Sequence, residues 1–383
     1  MNIFDYLKWR GDLTFKQDSF NIVDNLLFSE LVYTDLSGIV RDDGRTITIK
    51  EAAELYFERN DEKHLWESKS MIALAPFVFK EMAKSKRYGN LKLHHYVNII
   101  DDEYPVQFRA IQIDLNQRET FLAYCGTDDT LIGWKEDLQM SYQLIRSQIE
   151  AVKYLNGTTR LTRRYHIGGH SKGGNLALYA ACNCQNFIKD RIISVINNDG
   201  PDLSNWLYDD EKFRDIKDRY LKIVPDSSVI GMIFFADVNT SIVKSDAGIG
   251  NSHSITSWQI EGKDLVYAEK RSESSEVTRQ ALELFVAKTT AKEREQFVDN
   301  LFAAFEQADI HNVSEMFEKG LPVVIRLLKI MAEDDYSFSE ISGEMLKCFL
   351  AISNEKVSNL VSEVPSKAQN LIDDLGRKIK KKQ

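Results

Sequence analysis

The chain has 383 residues, of which 43% are hydrophobic, 10% aromatic and 28% charged, with a formal net charge of −9. That apolar content supports a packed core, and the low counts of Gly (19) and Pro (6) exclude collagen-like and low-complexity chains. An acidic chain repels phosphate backbones, which argues against nucleic-acid binding. Four cysteines (Cys125, Cys182, Cys184 and Cys348) are too few for a disulfide framework and read as reduced thiols.

The first six residues, Met1 to Tyr6, have neither a basic nor an apolar stretch of the kind a secretory signal needs. The longest apolar run, near Val229–Ala236, is far shorter than the roughly 20 residues of a membrane span. Both point to a cytoplasmic protein. Up to about residue 90 the pattern is helical. Phe20–Tyr33 places Ile22, Val23, Leu26, Leu27, Leu31 and Val32 at helical spacing, and Thr46–Asn60 and Met71–Arg87 repeat it, the latter despite Pro76.

From about residue 91 to 270 the period changes. His95–Ile100 and Val106–Leu115 flank a turn-like Asp101-Asp102-Glu103-Tyr104-Pro105 and predict a hairpin. Apolar runs then alternate with helical stretches. The runs are Phe121–Cys125, Tyr165–Gly169, Ile192–Ile196, Leu221–Val224 and Ser241–Val243. The helices are Trp134–Leu155, Asn175–Cys184 and Asp210–Tyr220. This alternation predicts an α/β fold whose mostly parallel central sheet is covered on both faces.

Residues 271–383 return to helical spacing in Val277–Thr289, Glu293–Ala308, Val313–Met331 and Ser339–Val361. Ser274 and Ser337 stand at expected N-caps, the latter three residues before Glu340 as in a capping box. The organisation expected is a domain over 1–270, including the N-terminal helices, and a helical extension over 271–383 able to serve as a cap or lid. The basic end, Arg377 to Lys382, reads as a solvated helix terminus with a capacity for weak peripheral contact with anionic membranes.

Gly169-His170-Ser171-Lys172-Gly173 is a G-x-S-x-G pentapeptide between an apolar run and an amphipathic helix. That is the strand–turn–helix setting of a nucleophile elbow. Side chains at Gly169 or Gly173 would collide with neighbouring elements. Ser171 is then the candidate nucleophile, and the backbone N–H of Lys172 the candidate oxyanion donor. A serine hydroxyl needs a base. Of seven histidines, His64, His94, His95, His166 and His311 lie in helices or strands or before the sheet, and His170 is turned away by the elbow. His253, 82 residues after Ser171, lies in a loop after a late strand-like run and is the candidate base. Three strand-end aspartates lie between them. Counting two strands from the elbow selects Asp226 as the acid, with Asp246 and then Asp199 as alternatives. The histidines show no metal-ligand spacing and there is no P-loop or G-x-G-x-x-G, so neither metal nor organic cofactor is expected.

With these residues in view, the chain resembles the fungal-type (class 3) lipases of the α/β-hydrolase fold, and more closely a bacterial lipase-like group without assigned function. The resemblance rests on Gly169-His170-Ser171-Lys172-Gly173-Gly174, on Tyr124-Cys125-Gly126-Thr127 followed by Trp134 and Asp137, on Asp199-Gly200-Pro201, and on the opening Trp9-Arg10-Gly11-Asp12-Leu13-Thr14-Phe15. It spans roughly residues 1–270. It implies that Thr127 is the second oxyanion residue and that the reaction is hydrolysis of a small-molecule or lipid ester. Cys125 stands where the lipases usually carry Arg, and Gly168 where an aliphatic or hydroxyl residue is common. The lipase acid usually precedes a Val-Pro pair, whereas Asp226 follows one. Two other functions share these residues: an acyltransferase using the same triad, and a non-catalytic binding or scaffold protein.

Overall fold

The computed structural model describes residues 1–310 apart from residues 69, 71, 102, 104, 129, 205, 206, 208, 235–237, 248–250 and 308. Among the described residues, eight strands form one sheet whose spatial order is the order of the sequence. They are β1 (Ile47–Thr48), β2 (Lys92–Asp101), β3 (Val106–Asp114), β4 (Glu119–Tyr124), β5 (Arg164–His170), β6 (Ile192–Asn198), β7 (Tyr220–Pro225) and β8 (Thr240–Val243). β1 to β4 are antiparallel neighbours, and β4 to β8 are parallel throughout. Parallel neighbours require crossovers, and the helices that make them cover the sheet. The result is an α/β-hydrolase fold. A small hairpin, β9 (Ile260–Glu261) and β10 (Asp264–Leu265), follows.

The helices are α1 (Ile3–Arg10), α2 (Ile22–Leu31), α3 (Ile49–Arg59), α4 (Glu62–Glu67), α5 (Ala75–Lys84), α6 (Leu131–Gln139), α7 (Arg146–Thr158), α8 (Lys172–Asn183), α9 (Asn186–Lys189), α10 (Asp210–Arg214), α11 (Glu273–Lys288) and α12 (Ala291–Gln307). Side chains of a strand alternate between faces, and β4 shows how two cores arise from that. Phe121 and Ala123 join Phe28, Leu27 and Phe79 of α2 and α5 on one face. Leu122 and Tyr124 join Leu155, Leu176 and Ala180 of α7 and α8 on the other. A strand buried on both sides reads as an unbroken apolar run, which is why Phe121–Cys125 carries no polar alternation. A third cluster joins Phe285, Phe297, Leu301 and Phe305 of α11 and α12 to Leu131, Trp134 and Leu138 of α6. Among the described residues, no helix is long and apolar enough to cross a membrane.

Several local expectations change. The helix expected over Met71–Arg87 begins at Ala75, because Pro76 is tolerated only in a first turn, where its missing N–H is not needed. The helix expected over Trp134–Leu155 is two helices, broken between Met140 and Ile145. The side chain of Gln148 accepts the Ile145 N–H at 3.3 Å and so starts the second. Ser272, rather than Ser274, caps α11 by accepting the Ser275 N–H. The helices expected over Val313–Met331 and Ser339–Val361, together with Cys348 and the basic terminus, lie outside the described residues. Cys125, Cys182 and Cys184 are buried and unbridged, and burial pushes the Cys125 thiol up to about 12.

Candidate active site

The site forms where β5 turns into α8. Ser171, between them, has φ 56° and ψ −133°, a conformation that residues carrying a Cβ rarely adopt. Close packing imposes it. A Cβ on Gly169 would lie 2.5 Å from Gly173 C and Tyr124 O, and one on Gly173 would lie 2.2 Å from Tyr124 O. The Ser171 N–H donates to Asn198 O at 2.9 Å, tying the turn to the end of β6.

His253 lies in a single 3-10 turn, Asn251–His253. Its Nδ1–H donates to Asp199 Oδ2 at 2.7 Å, which leaves Nε2 as the proton acceptor. Asp199 is fully buried, and its other carboxylate oxygen accepts the hydroxyl of Ser228. The expectation that Asp226 would meet His253 is therefore corrected: Asp199 stands there. Asp226 is half-buried one strand further on. It uses its backbone N–H to bind Val243 O at 2.8 Å and its C=O to accept from Ser272 at 2.7 Å, while its carboxylate accepts from the adjacent Ser227. Asp246 accepts from Gln259 at 2.6 Å. β6 is the immediate neighbour of β5, so its end, and not that of β7, lies beside the elbow.

The ring of His170 lies 4.4 Å from that of His253, centroid to centroid, and both its nitrogens are engaged. Its Nε2 must donate to His253 O at 2.7 Å, since a carbonyl only accepts. Its Nδ1 then accepts from the Tyr33 hydroxyl at 3.0 Å. Burial, and then the neighbouring His253, hold His170 well below the usual histidine range, so it stays neutral. A chain of bonds thus runs from the end of α2 through the elbow to the backbone of His253.

Thr127 follows β4 and is buried, with its hydroxyl donating to Asp137 Oδ2 at 2.6 Å. The adjoining Gly126 lies against the serine, since a Cβ there would come within 3.0 Å of Ser171 Cβ. Burial pushes Asp137 up to about 6, against the opposing pull of Lys172 and the Thr127 hydroxyl. The Lys172 N–H opens α8 and belongs to the first turn, where no intrahelical acceptor exists. Its side chain does something the sequence did not suggest. Fully buried, Lys172 Nζ donates to Glu136 Oε2 at 3.0 Å, Gln107 O at 3.0 Å and Gln107 Oε1 at 2.9 Å. Burial lowers the Lys172 pKa, but Glu136 and Asp137 outweigh it and hold the ammonium charged. Glu136 also accepts from the Ser147 and Gln107 N–H groups, at 3.0 and 3.1 Å. Residues on α6 thus hold both candidate oxyanion residues.

Residues 82–303, more than half of the chain, match the Mbeg1-like family. The chain belongs to that family. The solved crystal structure of M37 lipase is similar at 17% identity over 54% of this chain and 68% of the lipase, with a TM-score of 0.31. No curated protein matches.

In this Mbeg1-like chain, the residues that the sequence reading missed are those holding the site from behind. Asn198 precedes Asp199 and donates to Gly169 O at 3.0 Å and Ser29 Oγ at 3.1 Å, while Asn25 donates to it at 2.9 Å. The signal was present in two places: Asn25 and Ser29 on the apolar α2, and the run Asn197-Asn198-Asp199 closing an apolar strand. Asp199 takes φ 51°, which Asp and Asn tolerate better than most residues. Among the described residues, no group of three or more His, Cys, Asp or Glu is placed to hold a metal ion.

Proposed function

We propose that this protein is a serine hydrolase of carboxylic esters, lipase- or esterase-like, acting through an acyl-enzyme on Ser171. The observation that carries the reading is the 2.7 Å bond from His253 Nδ1 to the buried Asp199, whose preceding residue Asn198 accepts the N–H of Ser171 at 2.9 Å in its strained strand–helix turn. Asp199 replaces Asp226 as the acid. Its carboxylate fixes the tautomer that leaves Nε2 free and stabilises the imidazolium once formed.

The steps follow from the groups. Ser171 Oγ attacks the ester carbonyl carbon as His253 Nε2 takes its proton. The N–H groups of Thr127 and Lys172 bind the developing oxyanion, and the Asp137 carboxylate holds Thr127 in place. Collapse of the tetrahedral intermediate expels the alcohol, which leaves with the proton from His253. Water then attacks the acyl-enzyme with His253 again as base, releasing the acid and restoring Ser171. Membership in the Mbeg1-like family and an α/β-hydrolase fold agree with this chemistry.

The test is labelling by a fluorophosphonate probe together with hydrolysis of an ester panel. Wild type labels and turns over. Ser171→Ala does neither, and His253→Ala loses nearly all of both. Equal labelling of wild type and Ser171→Ala overturns the assignment and favours a binding or scaffold role. Product analysis with a competing alcohol separates transfer to water from transfer to the alcohol.

A further inference from the structure

A cavity of about 440 Å³ lies between α6, the turn at Ile233 and Phe234, and helices α11 and α12. Its wall includes Leu138, Ile233, Phe234, Phe285, Val286 and Phe297. Asp137 also lines it, and Asp137 bonds Thr127 at 2.6 Å. The cavity therefore adjoins the candidate oxyanion loop. We propose that it is the acyl-chain pocket of this site, and that the esters taken carry an aliphatic acyl chain of medium or greater length. The proposal rests on the ester-hydrolase reading above.

Three observations select the acyl chain as occupant. First, position. The leaving alcohol must lie against His253, which protonates it, and the described lining includes no residue of the His253 turn. The other substituent of the carbonyl carbon is the acyl chain. Second, chemistry. Of the charged side chains at the cavity, Arg294 and Glu283 are engaged, and Asp137 gives Oδ2 to Thr127 while its Oδ1 has no partner among the described residues. Arg294 donates to Ser141 O, to Val286 O at 3.1 Å and to Thr289 O, and Glu283 pairs with Arg279. Among the described lining residues the cation is Arg294, whose guanidinium is taken up by carbonyls of the chain itself, while two carboxylates and the apolar wall favour hydrocarbon over an anion. The volume falls within the roughly 300–1,000 Å³ of small-molecule pockets. Third, strain. Phe234 holds φ 54°, a left-handed conformation unfavourable for a residue with a Cβ. Such outliers persist where the surroundings over-determine them, often at ligand sites. Arg294 also clasps the ends of α6, α11 and α12 together, so the pocket is built on a pinned frame.

The experiment compares full-length wild type, Val286→Trp and Ile233→Trp on p-nitrophenyl acetate, butyrate, octanoate and palmitate, with a short-chain fluorophosphonate label as a check on the intact site. The two substitutions fill the cavity from different elements, α11 and the turn at Ile233, so loss of folding in one leaves the other informative. Wild type is expected to prefer octanoate or palmitate over acetate. In the filled variants the octanoate-to-acetate ratio should fall at least about tenfold, the scale of losing a methylene's worth of pocket, with labelling retained. An unchanged ratio with acetate turnover intact overturns the pocket alone. If no ester is cleaved and no probe bound by wild type, the hydrolase reading and the pocket fall together.

Discussion

The ends of β6 and β7 look alike in sequence, and the fold uses them differently. Each is an apolar run closed by a turn with an aspartate. At the end of β6, Asp199 is buried, takes a left-handed backbone and gives both carboxylate oxygens to side chains, His253 and Ser228. At the end of β7, Asp226 is half-buried and serves mainly through its backbone, which ties β8 and the start of α11. An aspartate at a strand end can hold the chain or hold another side chain. Which it does depends on where its strand lies relative to the elbow: β6 is the immediate neighbour of β5, and β7 lies one strand further out.

The largest expected effect separates the two ends directly. Asp199→Asn should lower ester turnover by about 10⁴-fold, because the amide no longer enforces the tautomer with Nε2 free. If Asp226→Asn shows that loss and Asp199→Asn does not, the assignment reverses. A smaller effect contrasts a buried carboxyl held by partners with one set by burial. Burial alone pushes Glu30, on α2, up to about 7 from an ordinary 4.5. The folded state then binds that proton more tightly than the unfolded chain. The burden is absent below about pH 4.5, grows as pH rises, and is fully present above about pH 7, on the order of 3 kcal/mol. Urea unfolding should show wild type losing stability across that window and Glu30→Gln losing less; parallel pH profiles would count against it. The smallest effect is the control: Asp226→Asn should leave turnover within about twofold, as substitutions away from special contacts usually do.

The parallel half of the sheet was legible because buried parallel strands are continuous apolar runs, and Phe121–Cys125, Tyr165–Gly169 and Ile192–Ile196 each became one. The elbow was legible because its glycines leave no room for substitution. The break at Met140 was not, since apolar spacing runs across it and only the Gln148 side chain marks the restart. α1 and its Asn2 cap lie in a stretch too short for periodicity to speak. The pairing of His253 was not legible either. A hydrogen bond between residues 54 apart depends on which strand end reaches the base, and counting two strands from the elbow chose the end of β7 where the adjacent β6 carries the partner. The buried Lys172–Glu136 pair was hidden for a different reason: composition rules place lysine at the surface.

The torsion at Ser171 has one further consequence. Alanine at that position removes the hydroxyl and keeps the Cβ, so it keeps the strained backbone. Glycine removes both. Relief of roughly 1–2 kcal/mol of left-handed strain, set against about 0.5–1 kcal/mol of extra chain entropy in the unfolded state, should make Ser171→Gly slightly more heat-stable than Ser171→Ala in thermal unfolding, although both lack the nucleophile. Equal midpoints would mean that the turn bears no load. A chain released from its chemistry could thus gain stability by a single change at the residue that defines it, so holding a serine there trades robustness for reactivity at one backbone angle.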